Sequence, residues 1–118
     1  MITFDQLEVW REAKDLAVAI YKLGQNKPLA TGFGLRDQIQ RAAVFIMSNI
    51  AEDYERMHIP EKRQFHNVAS ASCGELCSQL HLLHEVQFVS DNQFESLLER
   101  ANRVGRLISG LLRSLERR

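Results

Sequence analysis

Gly34-Leu35-Arg36-Asp37-Gln38-Ile39-Gln40-Arg41-Ala42-Ala43-Val44-Phe45-Ile46-Met47-Ser48-Asn49-Ile50-Ala51-Glu52 contains no proline and, after its first residue, no glycine. Leu35, Ile39, Ala42, Ala43, Ile46 and Ile50 recur at steps of three and four, and Tyr54 extends the series. At about 100° per residue these positions share one side of a helix. The spacing therefore predicts a helix over about 34–56. Ala42 and Ala43 in its middle allow a neighbouring helix to approach closely. Phe45 and Met47 fall off the centre of the stripe and are expected on a second surface.

Upstream, Leu7, Trp10, Ala13, Ala17, Ile20 and Tyr21 form a second stripe, with Glu8, Arg11, Glu12, Lys14 and Asp15 on the other faces. Thr3 and Gln6 have the spacing of a capping box, and Gly24 is a plausible stop, so a helix is expected over about 5–23. Residues 25–32 contain Pro28 and Gly32, break the period, and read as a loop. Downstream, the fixed φ and missing N–H of Pro60 suit a first helical turn. The third helix is expected over about 60–86, with Phe65, Val68, Ala69, Leu76, Leu80 and Leu83 inward. Ser90 and Gln93 form a second capping-box spacing, followed by Phe94, Leu97, Leu98, Ala101, Val104, Ile108, Leu111, Leu112 and Leu115 as the inward stripe of a fourth helix.

No segment shows sustained alternation or a hairpin signal, so strands have no support. The expected fold is all-α: an antiparallel up-down-up-down four-helix bundle in a single domain over residues 1–118. Fifteen Lys and Arg balance fifteen Asp and Glu, which argues against a strongly basic nucleic-acid binder while leaving local patches open. No apolar run approaches the roughly 18 residues of a membrane span, and the start lacks a signal-peptide pattern. A cytoplasmic setting with reduced Cys73 and Cys77 is expected.

Phe33-Gly34-Leu35-Arg36-Asp37-Gln38-Ile39-Gln40-Arg41-Ala42-Ala43 and then Ser48-Asn49-Ile50-Ala51-Glu52 resemble the four-helix-bundle proteins encoded in intervening sequences of bacterial 23S ribosomal RNA genes. Phe4 to Ala13, with Leu7, Trp10 and Ala13, is similar to the opening of that family, and Phe65, Ala69, Ser72, Glu75 and Leu76 are similar to its third-helix signature. The chain departs from the pattern at Phe45, where Ser is usual, and at Asp53 and Ala71, where Gly is usual. The resemblance implies a ring-like homopentamer with no established catalytic activity. Accessory proteins of diversity-generating retroelements, which bind nucleic acid and a reverse transcriptase, have a similar architecture.

Three constellations are candidates for function. His66, Cys73, Cys77, His81 and His84 share one face of the third helix within about 80°. One straight helix cannot wrap four ligands around an ion, so packing or a subunit interface competes with metal binding there, and no metal or cofactor is expected. On the fourth helix, six arginines stand against one Glu between Arg100 and Arg118. Arg103, Arg106, Arg113 and Arg117 fall on the side opposite the apolar stripe, and with Arg100 they form the candidate contact to RNA or DNA phosphate, to which Lys62 and Arg63 of the third helix would add. The competing reading is a solvated face with cations favourably placed near a helix C-terminus. No aromatic run is interleaved with these arginines to stack bases.

Gln38, Arg41, Asn49, Glu52 and Glu75 are expected to form a structural polar network that joins the second and third helices and fixes their register. Glu52-Asp53-Tyr54-Glu55 and Glu75-Leu76-Cys77-Ser78 both lack the His of the paired Glu-x-x-His repeats of di-iron bundles, and phosphate loops and nucleophile motifs are absent. The expectation is thus a non-enzymatic homo-oligomer with no small-molecule substrate. A protein-partner adaptor, using Phe45, Met47 and Phe88, is the alternative to a nucleic-acid binder.

Overall fold

The structure, a computed structural model, describes residues 3–55 and 62–116. Four helices dominate it: α1 (Glu8–Leu23), α2 (Phe33–Glu55), α3 (Lys62–Glu85) and α4 (Asp91–Glu116). No strand occurs among the described residues. The helices pack in cyclic order, α1 on α2, α2 on α3, α3 on α4 and α4 on α1. Specific contacts fix their directions. Gly24, just past α1, lies against Arg36 and Gln40 early in α2. His84 late in α3 meets Asp91 at the start of α4, while Cys73, a few turns earlier, meets Ala101. Glu8 at the start of α1 meets Arg103 midway along α4, and Lys22 and Leu23 at the end of α1 share a hollow with Asn92 and Gln93 at the start of α4. Each neighbouring pair is therefore antiparallel, as the short connections predict.

The helical periods account for the core. Ile39, Ala42, Ala43, Ile46 and Ile50 of α2 are buried, facing Ala69, Leu76, Leu80 and Leu83 of α3 and Ala101, Val104 and Ile108 of α4. Two expectations are corrected. In α1 the buried set is Val9, Ala13, Leu16, Ala17 and Ile20, whereas Tyr21 is exposed. The stripe is rotated because α4 covers the side that carries Val9 and Leu16, and Tyr21 lies at the outer edge toward α2. Val68 is likewise exposed, at the outer edge of α3. The side chains of Phe65, Leu112 and Leu115 lie outside the described residues.

The caps show what spacing can and cannot specify. At Ser90 both bonds of the capping box form, Gln93 N–H to Ser90 Oγ at 3.1 Å and Ser90 N–H to Gln93 Oε1 at 2.8 Å, and α4 starts there. Thr3 N–H also donates to Gln6 Oε1, at 3.0 Å, but this closes a separate 3-10 turn, Phe4–Gln6. Leu7 then turns extended, at φ −73° and ψ 133°, so α1 begins at Glu8 rather than Asp5. The linker is more ordered than a plain loop. It contains a 3-10 turn, Leu29–Thr31, with Leu29 fully buried, and Arg36 Nη1 donates to the Ala30 carbonyl at 3.0 Å.

The end of α3 uses a residue that carries no sequence signal. Gln87 adopts φ 64°, in the left-handed region. Around it Phe88 N–H donates to the Leu83 carbonyl at 2.8 Å and Gln87 N–H to the His84 carbonyl at 3.1 Å, the two bonds of a Schellman motif. The chain then turns through Phe88, whose ring edge would lie 2.8 Å from a Cβ at Gly32, so the glycine makes room for the ring.

Candidate nucleic-acid interface

Helix α4 places its arginines by phase. With Ala101 at zero, Arg100 and Arg103 fall at about 200° to 260°, the flank toward α1, while Arg106 and Arg113 fall at about 120° to 140°, the flank toward α3. Arg106 and Arg113 thus lie opposite the buried Val104 and Ile108, on the outward face next to the α3 seam, whereas Arg100 and Arg103 lean toward the α1 seam. On the α1 side Arg103 is engaged: Nη2 is 2.8 Å from Glu8 Oε1 and Nε is 3.3 Å from Glu12 Oε1. Glu8 and Glu12 are one helical turn apart, so a single guanidinium fork can reach both. Arg100 is half-buried on the same flank.

On the α3 side the arginines are more available. Arg106 has a loose partner, Glu99 at 3.7 Å, and Arg113 is exposed with no ion pair among the described residues. Both line a shallow groove with Asn102, Gly105 and Ser109. The groove continues along the α3/α4 seam past Ser70, Cys73, Gly74 and Cys77. Small side chains on both helices keep it open. Arg117 lies outside the described residues, as do the side chains of Lys62 and Arg63.

The Cys and His face of α3 separates into two parts. Cys73 is buried under α4, its Sγ donating to the Ala101 carbonyl at 3.1 Å beside Gly105. Burial, reinforced by the neighbouring Cys77, pushes the Cys73 thiol from 9.0 up to about 11. Burial pushes the half-buried Cys77 thiol up as well. Both are protonated near neutral pH, the opposite of an activated nucleophile. At the other end His84 stacks on Phe94, with ring centroids 4.3 Å apart and planes 7° off parallel, and its Nε2 lies 2.7 Å from Asp91 Oδ1. His81 meets the same ring edge-on at 5.0 Å. No group of three or more His, Cys, Asp or Glu side chains suited to hold a metal ion occurs among the described residues. The side chain of His66 lies outside them.

A family model for the 23S rRNA-intervening sequence protein matches residues 5–110, nearly the whole bundle. The chain belongs to this family. Among solved structures it is similar to a protein of unknown function from the S23 ribosomal protein family of Bacteroides thetaiotaomicron, with 24% sequence identity and a TM-score of 0.79 over 87% of this chain and 96% of that one. That likeness shows the fold. No match is found among curated proteins. No helix among the described residues is long and apolar enough to cross a membrane.

Two polar residues of the family-like motifs bond within their own helices. Asn49 Nδ2 donates to the Phe45 carbonyl at 2.7 Å, one turn back in its own helix. Glu75 accepts from Gln79 Nε2 at 3.1 Å, again within one helix, and Arg41 lies over the Phe45 ring at 5.1 Å. Gln38 and Glu52 are exposed on α2. The bonds of Asn49 and Glu75 thus each run along a single helix. Among the described residues of α2 and α3, the buried polar side chains are Asp53 at 1% exposure and Ser72 at 5%. Asp53 continues the phase of Ile39, Ile46 and Ile50, the one signal that marks it as inward. Of the residues expected in an adaptor surface, Met47 and Phe88 pack partly against the core, and Phe45 is exposed.

Proposed function

We propose that this family member is a non-catalytic, cytoplasmic assembly module, a homo-oligomer and by family resemblance a homopentamer, whose α3/α4 seam binds the phosphate backbone of RNA or DNA. One observation carries the reading: Arg106 and Arg113, two turns of α4 apart, flank an open groove lined by Asn102, Gly105 and Ser109. At 1.5 Å per residue their positions are about 10 Å apart along the axis, a spacing that can engage separate phosphates of one strand. Arginine forks suit phosphate oxygens, and the asparagine and serine supply further hydrogen bonds. Repetition of the groove in an assembly multiplies weak individual contacts. Arg103, held by Glu8 and Glu12, serves the bundle rather than the ligand. Among the described residues that line the groove none is aromatic, which favours backbone contact over base stacking.

The test is the absorbance ratio at 260 and 280 nm of the purified assembly, measured with its mass in solution. The expected result is an oligomer that retains nucleic acid, and an Arg106→Ala/Arg113→Ala double variant of the same mass that does not. An oligomer that co-purifies with a protein and no nucleic acid contradicts phosphate binding and supports an adaptor.

A further inference from the structure

Cys73 and Cys77 stand one turn apart on α3 and point to the same side, toward α4. Cys73 Sγ is 3.1 Å from the Ala101 carbonyl oxygen, and Cys77 Sγ is 3.8 Å from Oδ1 of the next residue, Asn102. The thiols also meet each other as hydrogen-bonding neighbours. Both are free, Cys73 buried and Cys77 half-buried. They line one hollow of about 260 Å³ at the α3/α4 seam, whose wall includes the small residues Ser70, Gly74, Gly105 and Ser109. A Cβ at Gly74 would meet nothing within 4 Å, so the space beside the thiols is open. A cavity of about 150 Å³ is enough for a benzene ring.

Charge and geometry decide what such a pair can hold. Two thiols on one helical turn supply half the ligands of a tetrahedral zinc site, and no cluster of three or more metal-ligating side chains forms among the described residues. Burial disfavours any product that carries net charge. The bis-thiolate of Cu(I) or Ag(I) carries one negative charge and sets its two sulfurs on opposite sides of the metal. Trivalent arsenic with one organic substituent differs on both counts. Its bis-thiolate is neutral, it bonds two sulfurs side by side at a bent angle, and its third bond carries a group that needs room next to the sulfurs.

We propose that Cys73 and Cys77 are a dithiol site for a trivalent organoarsenical, R–As(OH)₂, whose organic group occupies the hollow between α3 and α4. The more open Cys77 reacts first. Its sulfur forms an S–As bond, one As–OH bond breaks, and the thiol proton leaves with that hydroxide as water, so the protonated thiol needs no prior ionisation. Cys73 then displaces the second hydroxide in the same way. This second step is intramolecular, and the buried sulfur needs no approach from solvent. Two S–H and two As–O bonds are exchanged for two S–As bonds and two molecules of water; arsenic stays trivalent, and no oxidant or reductant takes part. The site depends neither on phosphate binding nor on self-assembly.

The experiment uses phenylarsine oxide, which hydrates to this form, on the full-length wild type, Cys73→Ser, Cys77→Ala and the double variant at neutral pH. Intact mass follows the adduct, competition with 1,2-ethanedithiol gives its affinity, and circular dichroism follows helicity. The expected result is one phenylarsenic group per wild-type chain, with both thiol hydrogens lost and helicity unchanged. The dissociation constant is expected to rise roughly 100-fold or more in each single variant, because the second thiol acts at high effective concentration. The double variant takes up none. Cys77→Ala leaves the buried thiol and its contact with Ala101 in place, so a folded variant with weakened binding is available. Equal affinity in the wild type and Cys77→Ala, more than one arsenic per wild-type chain, or an adduct that forms only after urea has unfolded the bundle overturns the proposal.

Discussion

Arg103 of α4 reaches back 95 positions in sequence to Glu8 in the first turn of α1, Nη2 to Oε1 at 2.8 Å. The pair ties the two ends of the chain together across the α1/α4 seam, and Glu12 at 3.3 Å completes the fork. Both partners of the shorter contact are about half exposed, so solvent screens it and its worth is about 0 to 1 kcal/mol. Arg103→Ala is accordingly expected to lower unfolding free energy by no more than about 1 kcal/mol in urea denaturation, and to leave nucleic-acid affinity close to wild type. A loss of affinity as large as that of Arg106→Ala would return Arg103 to the ligand surface.

Gln87 holds a left-handed conformation that costs a non-glycine residue about 1 to 2 kcal/mol. Gln87→Gly is therefore expected to stabilise the chain by about 1 kcal/mol, since the Schellman bonds from Phe88 and Gln87 depend on backbone alone. Gln87→Val is expected to destabilise it, because a β-branched residue resists positive φ. Equilibrium denaturation of the two variants checks the opposite signs.

The thiol of Cys73 gives a pH dependence at the alkaline end. Its folded value, about 11, lies above the ordinary 9.0, so the folded chain holds the proton more tightly than the unfolded chain. The associated stability is fully present below pH 9.0 and is lost as pH rises from there through about 11. A loss of order 2 kcal/mol is expected over that window in the wild type and not in Cys73→Ala. Alkylation at pH 8 is expected to label Cys77 slowly and Cys73 only when the bundle opens.

Gly32 lies under the Phe88 ring, and a Cβ there would come within 2.8 Å of its edge. Gly32→Ala is expected to cost about 1 to 3 kcal/mol, the usual range for overpacking, and Gly32→Ala with Phe88→Leu to recover part of it. Thermal unfolding of the single and double variants checks the coupling. Additive effects would place the strain elsewhere.

The bundle was legible because a buried helix repeats its apolar positions. Ile39, Ile46 and Ile50 on α2, and Leu76, Leu80 and Leu83 on α3, needed nothing beyond period. In α1 two stripes overlap, one through Leu7, Trp10 and Tyr21 and one through Val9 and Leu16. Which is buried depends on where α2 and α4 sit, and local sequence does not contain that. Thr3 and Gln6 match Ser90 and Gln93 in spacing, but the extended Leu7 detaches the first box from its helix. The basic face was legible as charge and not as geometry. The partners of Arg103 come from the other end of the chain, and the lean of Arg100 and Arg103 toward α1 follows from the bundle's cyclic order.

The phosphate-binding account is tested most directly by the slope of log K against log salt for a single-stranded RNA, measured for the wild type and for Arg106→Ala/Arg113→Ala. Each phosphate contact contributes about 0.7 to that slope on a single strand. The account predicts a clearly negative wild-type slope that shrinks by about 1.4 for each engaged subunit when both arginines are removed. An identical slope in the double variant, or a wild-type affinity indifferent to salt, contradicts it.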